Sequence, residues 1–100
     1  MDDGELMREI LAALISDTGR QLQALACALE KADARETVRL AHYSKGACAN
    51  VGAASTALIL QEIEKKAAQG DLQACGASLA SLQREFQKLQ VEAASLSVAL

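Results

Sequence analysis

The 100-residue chain contains no proline and no tryptophan, and its only aromatic residues are Tyr43 and Phe86. Without proline, no residue of the chain is barred from a helix interior. β-Branched residues are few and scattered, which excludes a strand-like run. Long apolar runs are missing too, and the stretches present are far too short to span a bilayer. The start, Met1-Asp2-Asp3-Gly4-Glu5, is acidic where a secretory signal is basic. Ten basic residues against thirteen acidic ones give a net charge of −3, and no basic block marks a nucleic-acid surface. The three cysteines, Cys27, Cys48 and Cys75, are odd in number, widely spaced and form no CxxC pair. They read as small, reduced residues buried in the core of a cytoplasmic protein. One histidine, dispersed cysteines and surface carboxylates supply no ligand spacing for zinc or haem. No glycine-rich loop precedes a helix in a nucleotide-binding pattern. The expectation is a chain that binds no metal, no cofactor and no nucleic acid.

Alanine, leucine and the strong helix formers Gln, Glu, Lys and Arg fill most positions, so the composition reads as all-α. Met7, Leu11, Leu14, Thr18, Leu22, Leu25 and Leu29 keep a helical period, which predicts one long first helix over about 5–31, with Gly19 a candidate bend. Asp33 is placed to cap a second helix, and Glu36 stands three residues on, as a capping box requires. That helix should close near Asn50-Val51-Gly52. A third follows over about 53–68, with Glu62 and Lys66 spaced for an i, i+4 ion pair. Gly70 and Asp71 form a stop and a start together. In the fourth helix, Leu72, Cys75, Leu79, Leu82, Phe86, Leu89, Ala93 and Leu96 alternate spacings of three and four. Four amphipathic helices with short connections predict a single domain over residues 1–100, an antiparallel four-helix bundle. A single bundle that buries all four apolar faces is expected to be a monomer.

The only histidine, His42, shares a helix face with Lys45 and Gly46, at i, i+3 and i+4. A neutral imidazole nitrogen can attack phosphorus, and a phosphorylated imidazole gains negative charge that a lysine one turn on can offset. Arg39, one turn earlier, adds to the same field. Gly46 removes a side chain beside the imidazole and opens it to another protein, while Ala47 and Ala49 keep the neighbouring surface low. Ser44, two positions from His42, points away on a helix, which argues against Ser/His hydrolysis. From spacing alone, a lone histidine on an amphipathic helix is more often a solvated or core residue. The helix-interior glycine is harder to dismiss, because it costs stability and usually has a packing or functional reason.

The run His42-Tyr43-Ser44-Lys45-Gly46-Ala47-Cys48-Ala49-Asn50-Val51-Gly52-Ala53 resembles the motif of the histidine-containing phosphotransfer (HPt) domain of multistep two-component phosphorelays. That motif has His, Lys at +3, Gly at +4, small residues, Asn at +8 and Gly at +10, and every position is filled here. Ile63-Glu64 through Gly70-Asp71 is similar to the family's link between its last two helices, and the resemblance covers roughly residues 5–95. It implies that His42 accepts a phosphoryl group on Nε2 from the aspartate of a receiver domain and passes it to another receiver. Lys45 would stabilise the charge, Gly46 would give access, and Asn50 and Gly52 would end the helix. Arg39, Tyr43, Ala49 and Asn50 would meet the partner. The implied protein is a cytoplasmic phosphocarrier without an ATP site of its own, with Mg²⁺ on the partner receiver. It would be either a free shuttle or a domain excised from a hybrid sensor histidine kinase. Two departures stand out: the short helix that often precedes the bundle has no counterpart, and Tyr43 is larger than the residue usual after the histidine. Its ring would either fill the partner interface or fold back on the bundle. A different class of reading is an idle helical adaptor that docks a receiver domain or dimerises through the 72–96 seam.

Overall fold

A computed structural model of the chain describes residues 3–50 and 53–99, with side chains described as far as residue 95. The described residues form four helices: α1 (Asp3–Glu30), α2 (Ala34–Asn50), α3 (Ala54–Ala68) and α4 (Leu72–Ala99). Each helix packs against its chain neighbour, and α4 closes against α1, giving the antiparallel four-helix bundle expected from the sequence. Val51 and Gly52, expected to close α2, lie outside the described residues, as does the side chain of Leu96 at the end of the α4 seam.

The helix ends follow the capping chemistry. Asp33 Oδ1 accepts from the Glu36 backbone N–H at 3.1 Å, and Asp71 Oδ1 accepts from the Ala74 N–H at 3.2 Å. The capping box at Asp33 is only half formed, because the Glu36 side chain pairs with Arg39 rather than reaching back. Gly70, at φ +80°, closes α3: its N–H donates to the Ala67 carbonyl and the Asp71 N–H to that of Lys66. The same double bond closes α1, from Ala32 to Leu29 and from Asp33 to Ala28, but here an alanine takes the left-handed position, at φ +55°. The predicted Glu62–Lys66 pair does not form. Lys66 Nζ donates instead to Ser78 Oγ of α4 at 3.0 Å, a contact the sequence spacing could not anticipate.

The core draws on all four helices: Leu22, Leu25 and Ala28; Leu40, Ala41 and Cys48; Leu60, Ile63 and Ala67; Cys75, Leu82 and Phe86. α1 runs unbroken through Gly19, where an added Cβ would come 3.6 Å from the Phe86 ring, so the glycine seats that ring rather than bending the helix. Buried polar groups are satisfied within the bundle: Thr37 Oγ1 donates to the Asp33 carbonyl of its own helix start, and Ser44 Oγ to Gln21 Oε1 of α1. Cys48 and Cys75 are buried as expected, but Cys27 is exposed, on a flank of α1 that no neighbour covers.

A 28-residue helix is about 42 Å long, whereas α2 and α3 reach only about 25 Å and 22 Å. The molecule, 47 × 19 × 19 Å, is therefore a four-helix bundle that continues as α1 and α4 alone. In that extension Leu6, Met7 and Ile10 stay about half exposed. The expectation that one bundle buries all four apolar faces thus fails for the first half of α1. The site region lies in the four-helix part, where α2 and α3 make the most extensive helix pair.

Candidate functional site

α2 turns Leu40, Ala41, Ser44 and Cys48 into the core, and this fixes what the rest of the helix shows to solvent. His42 lies on the outer face with a side chain 69% exposed. Lys45, one turn on, is partly shielded between α2 and α3. Facing them from α3 is Glu64, next in sequence to the fully buried Ile63 and only 20% exposed. Its carboxylate bridges the pair: Oε1 lies 2.7 Å from His42 Nδ1, and Oε2 accepts from Lys45 Nζ at 2.9 Å. Glu64 comes 22 positions after His42, so only the antiparallel packing of α2 and α3 brings them together.

The electrostatics follow from this geometry. Partial burial pushes the Glu64 carboxyl up, but the hydrogen bonds and charges of Lys45 and His42 outweigh it and hold the group below its ordinary value of 4.5. Near neutral pH it is therefore ionised and can only accept. The proton on the shared edge must be carried by His42 Nδ1. In the neutral ring, that leaves the Nε2 lone pair free on an exposed imidazole. Glu64 thus fixes the tautomer that a nucleophilic Nε2 requires.

The other sequence candidates sort by position. Gly46 is exposed, and an added Cβ would meet nothing within 4 Å, so no packing inside the chain demands a glycine there. Tyr43 projects outward at 61% exposure and does not fold back on the bundle. Ala49 and Asn50 are exposed at the end of α2. Arg39 is exposed, and one edge of its guanidinium, Nε and Nη2, pairs with the two oxygens of the Glu36 carboxylate. Ser44 is fully buried and bonded to Gln21 of α1, away from the imidazole. Beside the site, Lys45, Ala49, Ala54, Ala57, Leu58 and Gln61 line a groove of about 450 Å³ between α2 and α3. Leu58, on its rim, is 65% exposed.

Sequence reasoning missed Glu64 as a site residue and missed this groove. The available signal for Glu64 was an acid at i+4 from Leu60 and i+1 from Ile63, on the flank of the α3 apolar stripe rather than opposite it. Among the described residues, no three His, Cys, Asp or Glu side chains cluster to hold a metal ion. No helix among them is long and apolar enough to cross a membrane.

Comparison with known proteins agrees with this arrangement. Residues 9–92 match the family model described as the Hpt domain. The chain is 37% identical over 79 residues to the sensor histidine kinase AruS of Pseudomonas aeruginosa, a match covering 76% of this chain and 8% of that much longer protein. Its fold superposes on the crystal structure of histidine-containing phosphotransfer protein B (HptB) from Pseudomonas aeruginosa PAO1 with a TM-score of 0.89 and 28% identity. That match covers 93% of this chain and 81% of the other. The family match runs over most of the chain and takes in both α2 and α3: the chain belongs to the Hpt domain family and is a phosphorelay intermediate of two-component signalling.

Proposed function

We propose that His42 is the phosphoryl carrier, taking the group on Nε2 from a receiver-domain aspartate and returning it to the aspartate of another receiver. The observation that carries this reading is the 2.7 Å contact between Glu64 Oε1 and His42 Nδ1, which leaves Nε2 as the nucleophile on an exposed ring. The chain holds and orients the imidazole; the receiver brings the aspartyl phosphate together with its Mg²⁺, which neutralises charge on the transferring group. Lys45, one turn from His42 and tied to Glu64 at rest, supplies a positive charge close enough to offset that of the phosphoryl group. Gly46 leaves room for the receiver's loops to close over the imidazole.

The partner surface in this reading surrounds His42. Tyr43, Ala49 and Asn50 form its α2 edge, Arg39 its far end, and the groove beneath Leu58 accepts apolar side chains of the receiver. His42, Lys45 and Glu64 all come from one chain, so the reaction needs one copy only. A carrier that meets receiver domains works in the cytoplasm.

The test is phosphoryl transfer from a panel of receivers, phosphorylated on aspartate with a small-molecule phosphodonor in the presence of Mg²⁺. Wild-type protein should gain an acid-labile adduct of one phosphoryl group by intact mass, and His42→Gln should gain none while keeping its helical circular dichroism. A His42→Gln protein that still accepts the group overturns the assignment. Receiver binding without any adduct on the wild type would instead support a docking adaptor with an idle histidine.

A further inference from the structure

Glu64 does two things at once, and the second reaches beyond orientation of the ring. Its Oε2 is bonded to Lys45 Nζ at 2.9 Å, the same ammonium that the carrier reading assigns to the phosphoryl charge. Glu64 and Lys45 are both partly shielded, at 20% and 30% exposure, so water screens their attraction less than that of a surface pair. Of the other charged groups nearby, Arg39 pairs with Glu36 on α2 and Arg20 with Asp17 on α1, while Glu62 and Lys65 lie on the outer surface of α3 with Leu58 and Gln61. α1 meets α2 on its Ser44 side, through the uncharged Gln21.

Resting on the carrier role of His42, we infer that Glu64 competes with the phosphoryl group for Lys45 and so lowers the stability of the phosphorylated carrier, biasing His42 towards donating. The step balances without a further reactant. The Nε2 lone pair forms the N–P bond, the P–O bond to the receiver's aspartate breaks, and its electron pair stays on that carboxylate. Nδ1 keeps its proton, so the ring becomes a cation bearing a dianionic phosphoryl group. Glu64 is drawn to the ring charge, which is nearer, and repelled by the two phosphoryl charges, which are farther; these effects roughly offset. What remains is the ammonium. Either Lys45 leaves Glu64 for the phosphoryl group, or it stays and the phosphoryl group lacks it. Both cost the phosphorylated state something that a neutral acceptor at position 64 would not impose.

Glu64→Gln separates the two roles. The amide oxygen still accepts from Nδ1–H, while its NH₂ end cannot accept from an ammonium, so Lys45 is released. The measurement is the equilibrium ratio of phosphohistidine to phosphoaspartate with one receiver, read by ³¹P NMR, where the two species resolve. A purely structural fault changes how much protein is active and how fast it reacts, but it does not produce this pattern. Glu64→Gln should raise the ratio roughly threefold to fivefold. Lys45→Gln should lower it, and by a larger factor in the Glu64→Gln background than in the wild type, because only there is the ammonium undivided. A ratio unchanged or lowered by Glu64→Gln, or a Lys45→Gln effect equal in the two backgrounds, overturns the inference while transfer itself persists. A wild-type chain that takes no phosphoryl group from any receiver overturns the carrier role and this inference together.

Discussion

Replacing Gly46 with alanine should make the protein more stable and a worse carrier. Glycine in an exposed helix interior costs roughly 0.8–1.0 kcal/mol relative to alanine, because the unfolded chain has more conformations to lose. Gly46 lies inside α2, and an added Cβ would meet nothing within 4 Å, so no clash subtracts from the gain. At about 2.1 cal/mol/K per residue, a 100-residue domain unfolds with an entropy near 210 cal/mol/K, so the gain corresponds to a Tm about 4–5 °C higher. Gln is nearly as good a helix former, and Gly46→Gln should stabilise by a similar amount. The docked receiver, however, has to close over a surface that now carries a side chain one turn from His42. Overfilling a close contact costs about 1–3 kcal/mol, so transfer should slow roughly fivefold for Ala and up to about a hundredfold for Gln. Thermal melts by circular dichroism and rapid-quench transfer kinetics on the same samples read both effects. Gly76, exposed on α4 and also free of neighbours within 4 Å, provides the control. Gly76→Ala should give the same gain in Tm with no loss of transfer, since α4 contributes nothing to the site. If Gly46→Gln transfers at the wild-type rate, access is not why the glycine is there.

Two further outcomes follow from the local geometry. Ala32→Gly should stabilise by about 0.5 kcal/mol, since the left-handed φ of +55° costs alanine roughly 1 kcal/mol or more and the added unfolded-state freedom of glycine returns part of it; a urea midpoint that falls would contradict the closing role given to Ala32. The Glu64 carboxyl should titrate below 4.5, because its ties to Lys45 and His42 outweigh partial burial. Its folded value is depressed, so its contribution to stability is fully present above about pH 4.5 and is lost as pH falls through that lowered value. A ¹³C titration of the side-chain carboxyl checks this, with Lys45→Gln moving the midpoint up; a wild-type midpoint at or above 4.5 would refute the balance of forces described.

The parts of the molecule that local chemistry governs were legible in the sequence. Asp33, Gly70 and Asp71 mark helix ends by their own side chains or by the lack of one, and each stands where its cap requires. His42, Lys45 and Gly46 share one face because helical spacing alone decides that. What was not legible depends on which helix lies opposite. Ala32 carries no signature of a left-handed residue, since alanine adopts that conformation only when the flanking helices impose it. Cys27 and the Leu6, Met7 and Ile10 stripe have apolar periodicity, but periodicity does not say that α2 and α3 stop short of them. Lys66 had an ideal partner in Glu62 along its own helix and found Ser78 across the bundle instead, because surface i, i+4 pairs contribute only a few tenths of a kcal/mol.

Glu64 belongs with the second group, and its burial shows why position matters more than identity. A phosphoryl carrier must present its imidazole to a partner, and His42 accordingly stands mostly in solvent. A hydrogen bond made wholly in solvent orients a ring poorly, because water competes for both partners. The site meets both demands by dividing them between two helices. The histidine is on the outer face of α2, while its acceptor is rooted beside the buried Ile63 of α3, shielded enough to stay ordered and kept ionised by its ties to Lys45 and His42. An acid on α2 itself, one turn from His42, would share its exposure and lose most of that advantage; Glu36, which pairs with Arg39 on the surface, illustrates the difference. The orientation of Nε2 therefore depends on the α2–α3 packing, and a core change such as Ile63→Ala that loosens α3 should weaken transfer without touching a single group of the site.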